Sequence, residues 1–161
     1  MATKKSNVPV EMTLEEMTNY AFSTMTDMGD KIREVVENAE GTLREHTQRM
    51  QTLSEIANTI DCMDKPEVPE AIKSIKAAFR ENQRKNLSRA DRRSNAVEAL
   101  QIVIDTANEW IENNQPSEDN GSTEDENEEK QNQIDDIQQF IEDVSQLRDE
   151  ADGIEFPGAY S

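Results

Sequence analysis

The chain has 161 residues, of which 34% are apolar and 4% aromatic, and it sets 35 acidic against 17 basic side chains. That length suits a single domain, and the net charge of −18 argues against nucleic-acid binding by the molecule as a whole. The one cysteine, Cys62, excludes an intrachain disulfide and an all-cysteine metal site, and no apolar run approaches the roughly 20 residues of a membrane span or forms the apolar centre of an export signal.

Residues 1–12 are polar and short of structure signals, and read as a mobile tail. Thr13 followed by Glu16 makes a capping box, the S/T-x-x-E pattern in which hydroxyl and carboxylate satisfy free backbone N–H groups reciprocally. From there a seam advances in steps of three and four residues, its large apolar members Leu14, Met17, Met25, Met28, Ile32, Val35, Leu43, Met50, Leu53 and Ile60 joined by Ala21, Ala39, His46 and Ala57. The mean step is close to 3.5 residues, a coiled-coil spacing that no strand produces. Gly41 and a second capping pattern, Thr42 with Glu45, mark a bend. The seam keeps phase across them, so the spacing predicts one long helix over 13–60. His46 falls on this seam and reads first as a packed or partly exposed seam residue, and second as a pH sensor.

Pro66 and Pro69 place a turn at 61–68, with Pro69 suited to a first helical turn. No Gly or Pro occurs between Glu70 and Gln115, and a second helix is expected over 69–111, polar in its middle. Residues 112–133 are acidic and nearly without apolar groups, which predicts a disordered linker. Ile134, Ile137, Ile141, Val144 and Leu147 then repeat at helical spacing, so a third amphipathic helix is expected over 134–152, closed by Gly153, with 153–161 as a tail. The fold class is therefore all-α: an elongated antiparallel helical hairpin or coiled coil with a third, C-terminal helix.

The charge is segregated. Residues 72–93 carry eight basic against two acidic side chains, whereas residues 112–155 carry two against sixteen. The basic set is Lys73, Lys76, Arg80, Arg84, Lys85, Arg89, Arg92 and Arg93. Its first expected role is neutralisation by the acidic helices of the same chain, and its second is a patch for an acidic protein partner. Without interleaved aromatic residues for base stacking, a nucleic-acid role is disfavoured.

Enzyme chemistry finds no support. The single histidine excludes paired-histidine metal motifs, Cys62 has no histidine or second cysteine at motif spacing, and no phosphate loop or nucleophile elbow occurs. A calcium loop with Gly121 at its sixth position would put Pro116 and Asn127 where carboxylates are required. No catalytic, cofactor-binding or metal-binding residues are assigned.

The order of features resembles a known family. A long first helix ends in Ala57-Asn58-Thr59-Ile60-Asp61, followed by Val68-Pro69-Glu70-Ala71-Ile72-Lys73-Ser74-Ile75. A variable middle leads to Asn132-Gln133-Ile134-Asp135-Asp136-Ile137-Gln138-Gln139. Over 13–79 and 132–151 this is similar to the EspA-like filament and needle-tip proteins of type III secretion systems. The acidic linker, the short last helix and the Pro-containing tail depart from that pattern. The resemblance implies export without a cleavable signal, a helical chaperone before export, and self-association with the fifteen seam residues as assembly positions. The alternative expectation is a cytosolic adaptor or chaperone-like protein that binds a protein partner through its basic middle and acidic tail.

Overall fold

In the computed structural model, which describes residues 9–82, 86–116 and 123–157, the first helix starts where the capping box puts it. Thr13 Oγ1 accepts from the Glu16 N–H, and Glu16 Oε1 accepts from the Thr13 N–H, both at 3.1 Å. The elements run β1 (Val10–Thr13), α1 (Leu14–Ala39), α2 (Gln48–Asp61), β2 (Lys76–Phe79), α3 (Arg89–Asn113) and α4 (Glu124–Asp152). The protein is all-α in class, the two short strands forming one antiparallel pair in the register Val10↔Phe79 to Thr13↔Lys76.

The single helix expected over 13–60 is two helices. The chain leaves α1 at Ala39 and reverses through residues 40–47. Gly41 takes φ +74°, a left-handed conformation open to glycine at little cost. The Gly41 N–H donates to Glu45 Oε2 at 3.1 Å, and the Thr42 hydroxyl donates to the Ala39 carbonyl. The Thr42 and Glu45 pair therefore stabilises a turn, and the N-cap of α2 is Thr47, whose hydroxyl accepts from the Met50 N–H. Seam residues on either side of the turn then face each other within one molecule. The approach is close: a Cβ on Gly29 of α1 would lie 2.8 Å from Ile60 Cγ2 of α2.

The helix expected over 69–111 begins only at Arg89. Before it, Pro69–Ile75 forms successive turns and β2 pairs with β1, which itself occupies the end of the segment expected as a tail over 1–12; residues 1–8 lie outside the described set. Burial explains the change. Ile72 and Phe79 are at most 2% exposed, and an extended Lys76–Phe79 lets Phe79 reach the core while holding Tyr20 against it, ring centroids 5.2 Å apart. Buried Asn95 bonds both the N–H and the carbonyl of Asn82, at 3.0 and 3.2 Å, fixing the loop before α3. A capping box of Ser88 with Asp91 starts that helix.

The linker expected over 112–133 is also shorter. α3 runs to Asn113 and α4 begins at Glu124 rather than at residue 134; residues 117–122 lie outside the described set. Residues 124–133 need no apolar contact to be helical, because extending a helix already anchored by Ile134 and Ile137 avoids the cost of nucleation. Thr123 caps this helix, and Glu124, Asp125 and Glu126 suit the positive end of its dipole.

α1 packs on both α2 and α3, and α3 packs on α4, so one core gathers all four helices with Ile72 and Phe79 from the strand region. Gly29→Ala is expected to destabilise the fold by about 1–3 kcal/mol through overpacking, despite the better helix propensity of alanine. In urea unfolding, Ile60→Ala should cost less in the Gly29→Ala background than alone, a coupling that distant sites would not show.

The Thr13 N–H, and then its hydroxyl, hold the Glu16 carboxyl below its ordinary value of 4.5, with Lys76 a smaller influence. A depressed carboxyl contributes stability above its unfolded pKa and loses it as pH falls through the folded one. Glu16→Gln should therefore flatten the acid limb of the stability profile below about pH 4.5 and leave its neutral and alkaline parts parallel to the wild type.

Candidate functional site

Twelve of the fifteen seam residues lie in the molecule's own core. Leu14, Met17, Met25, Met28 and Ile32 from α1 meet Met50, Leu53 and Ile60 from α2, and Ile134, Ile137, Val144 and Leu147 from α4, all at 3% exposure or less. Val35 and Ile141 are partly buried against the same core. Leu43 is fully exposed on the turn after α1, and among the described residues Val10 is the other exposed large apolar side chain. The stripes expected as assembly positions are covered within one copy, because folding back at Gly41 makes each stripe the cover of another. His46, expected on the seam, is on that same turn with its side chain 87% exposed.

This distribution separates core from assembly roles. Leu53→Asp should unfold the monomer outright, since it puts an unpaired charge in a closed core. Leu43→Asp should leave stability within about 0.5 kcal/mol of wild type. Circular dichroism through a urea series reads both; a folded Leu53→Asp protein of reduced mass would instead return that residue to an interface.

The basic stretch divides into two groups. Lys73 Nζ lies 3.9 Å from Glu15 Oε2 and 3.5 Å from Glu70 Oε1, and the charge of Lys76 acts on Glu16. Lys73 is thus paired within the chain. Arg80 is exposed, and Arg84 and Lys85 lie outside the described residues. Arg89, Arg92 and Arg93 form the second group, at the start of α3. Arg93 turns toward the C-terminal segment: Nη1 donates to the Ile154 carbonyl, and its guanidinium carbon stands 5.7 Å from the centre of the Phe156 ring. Ile154 is buried and Phe156 half-buried, so the start of the expected tail 153–161 docks on the bundle; residues 158–161 lie outside the described set.

Arg49, from the first turn of α2, joins this second group. The Arg89 guanidinium is partly buried, and its pKa is pushed down by that burial and by the like charges of Arg49 and Arg92. Arg49 also lines a shallow cleft with Gln48, Thr52, Glu155, Phe156 and Pro157. Two helix starts and the C-terminal segment thus meet at one end of the bundle. Sequence spacing could not have found Arg49, forty residues before Arg89; a reading that broke the first helix at Gly41 would have placed it at this end.

Elsewhere titratable side chains meet in pairs, among them Arg33 with Asp61 and Arg148 with Asp149. Tyr20 is pushed well above its ordinary pKa by burial and by its hydrogen bond with Glu81, which keeps its phenol protonated. Cys62 is exposed, and the described residues bring together no three His, Cys, Asp or Glu side chains at metal-binding distances. No helix of the described residues is long and apolar enough to cross a membrane. No protein-family model, curated protein or solved structure matches the chain.

Proposed function

We propose that this chain is a non-enzymatic, adaptor-type binding module that engages a carboxylate-rich segment of a protein partner at its arginine end. The observation that supports the reading is the position of Arg49 and Arg89 at the starts of α2 and α3, where Arg49 lines a cleft with the C-terminal segment and acts electrostatically on Arg89, in a chain whose apolar seams are spent on its own core. With little exposed apolar area to lead association, charge is the remaining source of specificity.

The placement of these arginines adds support. Arg89 opens α3 and Arg49 stands second in α2, at the helix ends where backbone dipoles favour anions. Cations there oppose local helix preference, and such conflicts concentrate at binding sites. Backbone dipole and guanidinium charge act together on an incoming carboxylate, and guanidinium offers it bidentate geometry.

A labelled decaglutamate peptide serves as the probe. Its affinity, read by fluorescence anisotropy, should fall steeply between 50 and 500 mM salt as charges are screened. Arg89→Gln with Arg92→Gln should weaken binding about tenfold, or about 1.4 kcal/mol, whereas Lys73→Gln, already paired, should change it less than twofold. Binding indifferent to salt or to the arginine pair would overturn the reading.

A further inference from the structure

The reversal between α1 and α2 leaves one layer of the seam unmade in a single copy. Gly29 of α1 meets Ile60 of α2, and the chain reverses between them, so each residue forward in α1 faces a residue back in α2. Continued toward the turn, that pairing sets Ile32 opposite Ala57, Val36 opposite Leu53 and Ala39 opposite Met50. Val36 is packed on the core and the other five are buried. The next layer of the same pairing is Leu43 with His46. Within one copy it is not made, because both residues stand on the turn, Leu43 fully exposed and the His46 side chain 87% exposed.

The turn is already close to helix. Three of its bonds run back three residues, from the N–H groups of Thr42, Glu45 and Thr47 to the carbonyls of Ala39, Thr42 and Arg44. The reversal comes from Glu40 and Thr47, extended at ψ 135° and 152°, and from Gly41 at φ +74°. Helical angles at these residues would run α1 straight into α2, with the seam in phase throughout. The resulting rod, residues 14–61, is about 72 Å long at roughly 1.5 Å per residue.

We propose that two copies exchange their β1–α1 segments by straightening this turn. α1 of each copy then packs on α2 and α3 of the other, and β1 pairs with the other's β2, so the contacts of the closed fold are remade between copies. Where the two rods cross, Leu43 of one copy lies opposite His46 of the second, and the missing layer forms twice. Continuity with a packing that already exists inside one copy selects a second copy as the occupant. The closed form makes its contacts within one chain and is favoured at low concentration; the exchanged dimer gains as concentration rises. It gains also from salt, which screens the repulsion between copies of net charge −18. The exchange is independent of the carboxylate reading of the arginine end.

Gly41 provides the test. A Cβ there meets nothing within 4 Å, so Gly41→Ala leaves packing unchanged while disfavouring the left-handed angle and favouring helix. Each hinge should shift by at least about tenfold and a dimer holds two, so the dimerisation constant should rise at least about a hundredfold over wild type. Gly41→Asn, which tolerates the left-handed angle, should behave as wild type. Adding Leu43→Asp to Gly41→Ala should restore the monomer, since a carboxylate would enter the seam. Each protein is refolded at 1 mM, and sedimentation velocity reads its mass. Spin labels on Asp30→Cys and Thr59→Cys, with Cys62→Ser, separate exchange from surface contact; both positions are exposed beside the Gly29 and Ile60 contact. Diluted with unlabelled chain, the labels are neighbours in the closed form and about 44 Å apart along the straight rod. A Gly41→Ala dimer with the long distance supports exchange. A Gly41→Ala chain that stays monomeric overturns it, as does a dimer that keeps the short distance or is indifferent to Leu43→Asp. An unfolded Gly41→Ala chain also overturns it, because exchange would preserve the core.

Discussion

The close passage of α1 against α2 is the constraint on which the rest of this structure depends. It requires a reversal of the chain at Gly41 and the absence of a side chain at Gly29, where Ile60 presses within 2.8 Å of a Cβ position. Once the two helices lie together, Met17, Met25 and Ile32 find Leu53 and Ile60 within the same chain, and the remaining apolar faces are closed by α3 and α4. Burying each large side chain is worth about 1.5–3 kcal/mol. A seam that could have joined separate molecules is thereby converted into the interior of one.

That conversion shifts the location of function. A bundle with Leu43 and Val10 as its exposed large apolar side chains among the described residues presents little there for non-directional association, and the proposed recognition is by charge. Charge is also where the molecule is least uniform. Lys73 sits against Glu15 and Glu70, while burial, and then the like charges of Arg49 and Arg92, lower the pKa of Arg89. The same basic stretch thus contains a lysine paired with acids of its own chain and an arginine placed beside like charges.

What the sequence made legible was governed by how local the cause was. The Thr13 capping box, the helical class and the stripe from Ile134 to Leu147 each depend on neighbours within a few residues, and all can be read from spacing alone. The break at Gly41 was visible as a glycine and a capping pattern, but an unbroken seam phase argued for continuity, and Leu43 and His46 matched that phase while standing in solvent. Lys76–Phe79 is extended because Val10–Thr13, more than sixty residues earlier, offers a pairing edge and because Phe79 must reach the core; no periodicity within the segment announces either. The helix over residues 124–133 was hidden for the opposite reason: its polar composition signals a segment unable to nucleate structure, although an adjoining docked helix removes the need to nucleate. Arg49 belongs to the arginine end only through the reversal at Gly41, so no linear pattern groups it with Arg89.

The helix starts bear on why such a site persists in so acidic a chain. α4 opens with Glu124, Asp125 and Glu126, the arrangement backbone dipoles favour, whereas α2 has no acidic residue in its first turn and α3 sets Asp91 among arginines. A chain with 35 acidic and 17 basic side chains has no shortage of carboxylates to place there. Each cation at a helix start forgoes up to about 1 kcal/mol of dipole stabilisation, and gathering several adds mutual repulsion. An incoming carboxylate reverses the sign of both effects at once, since it relieves the repulsion and completes the helix ends it approaches. On the proposed reading, that gain is what an acidic partner would bring to this end of the bundle.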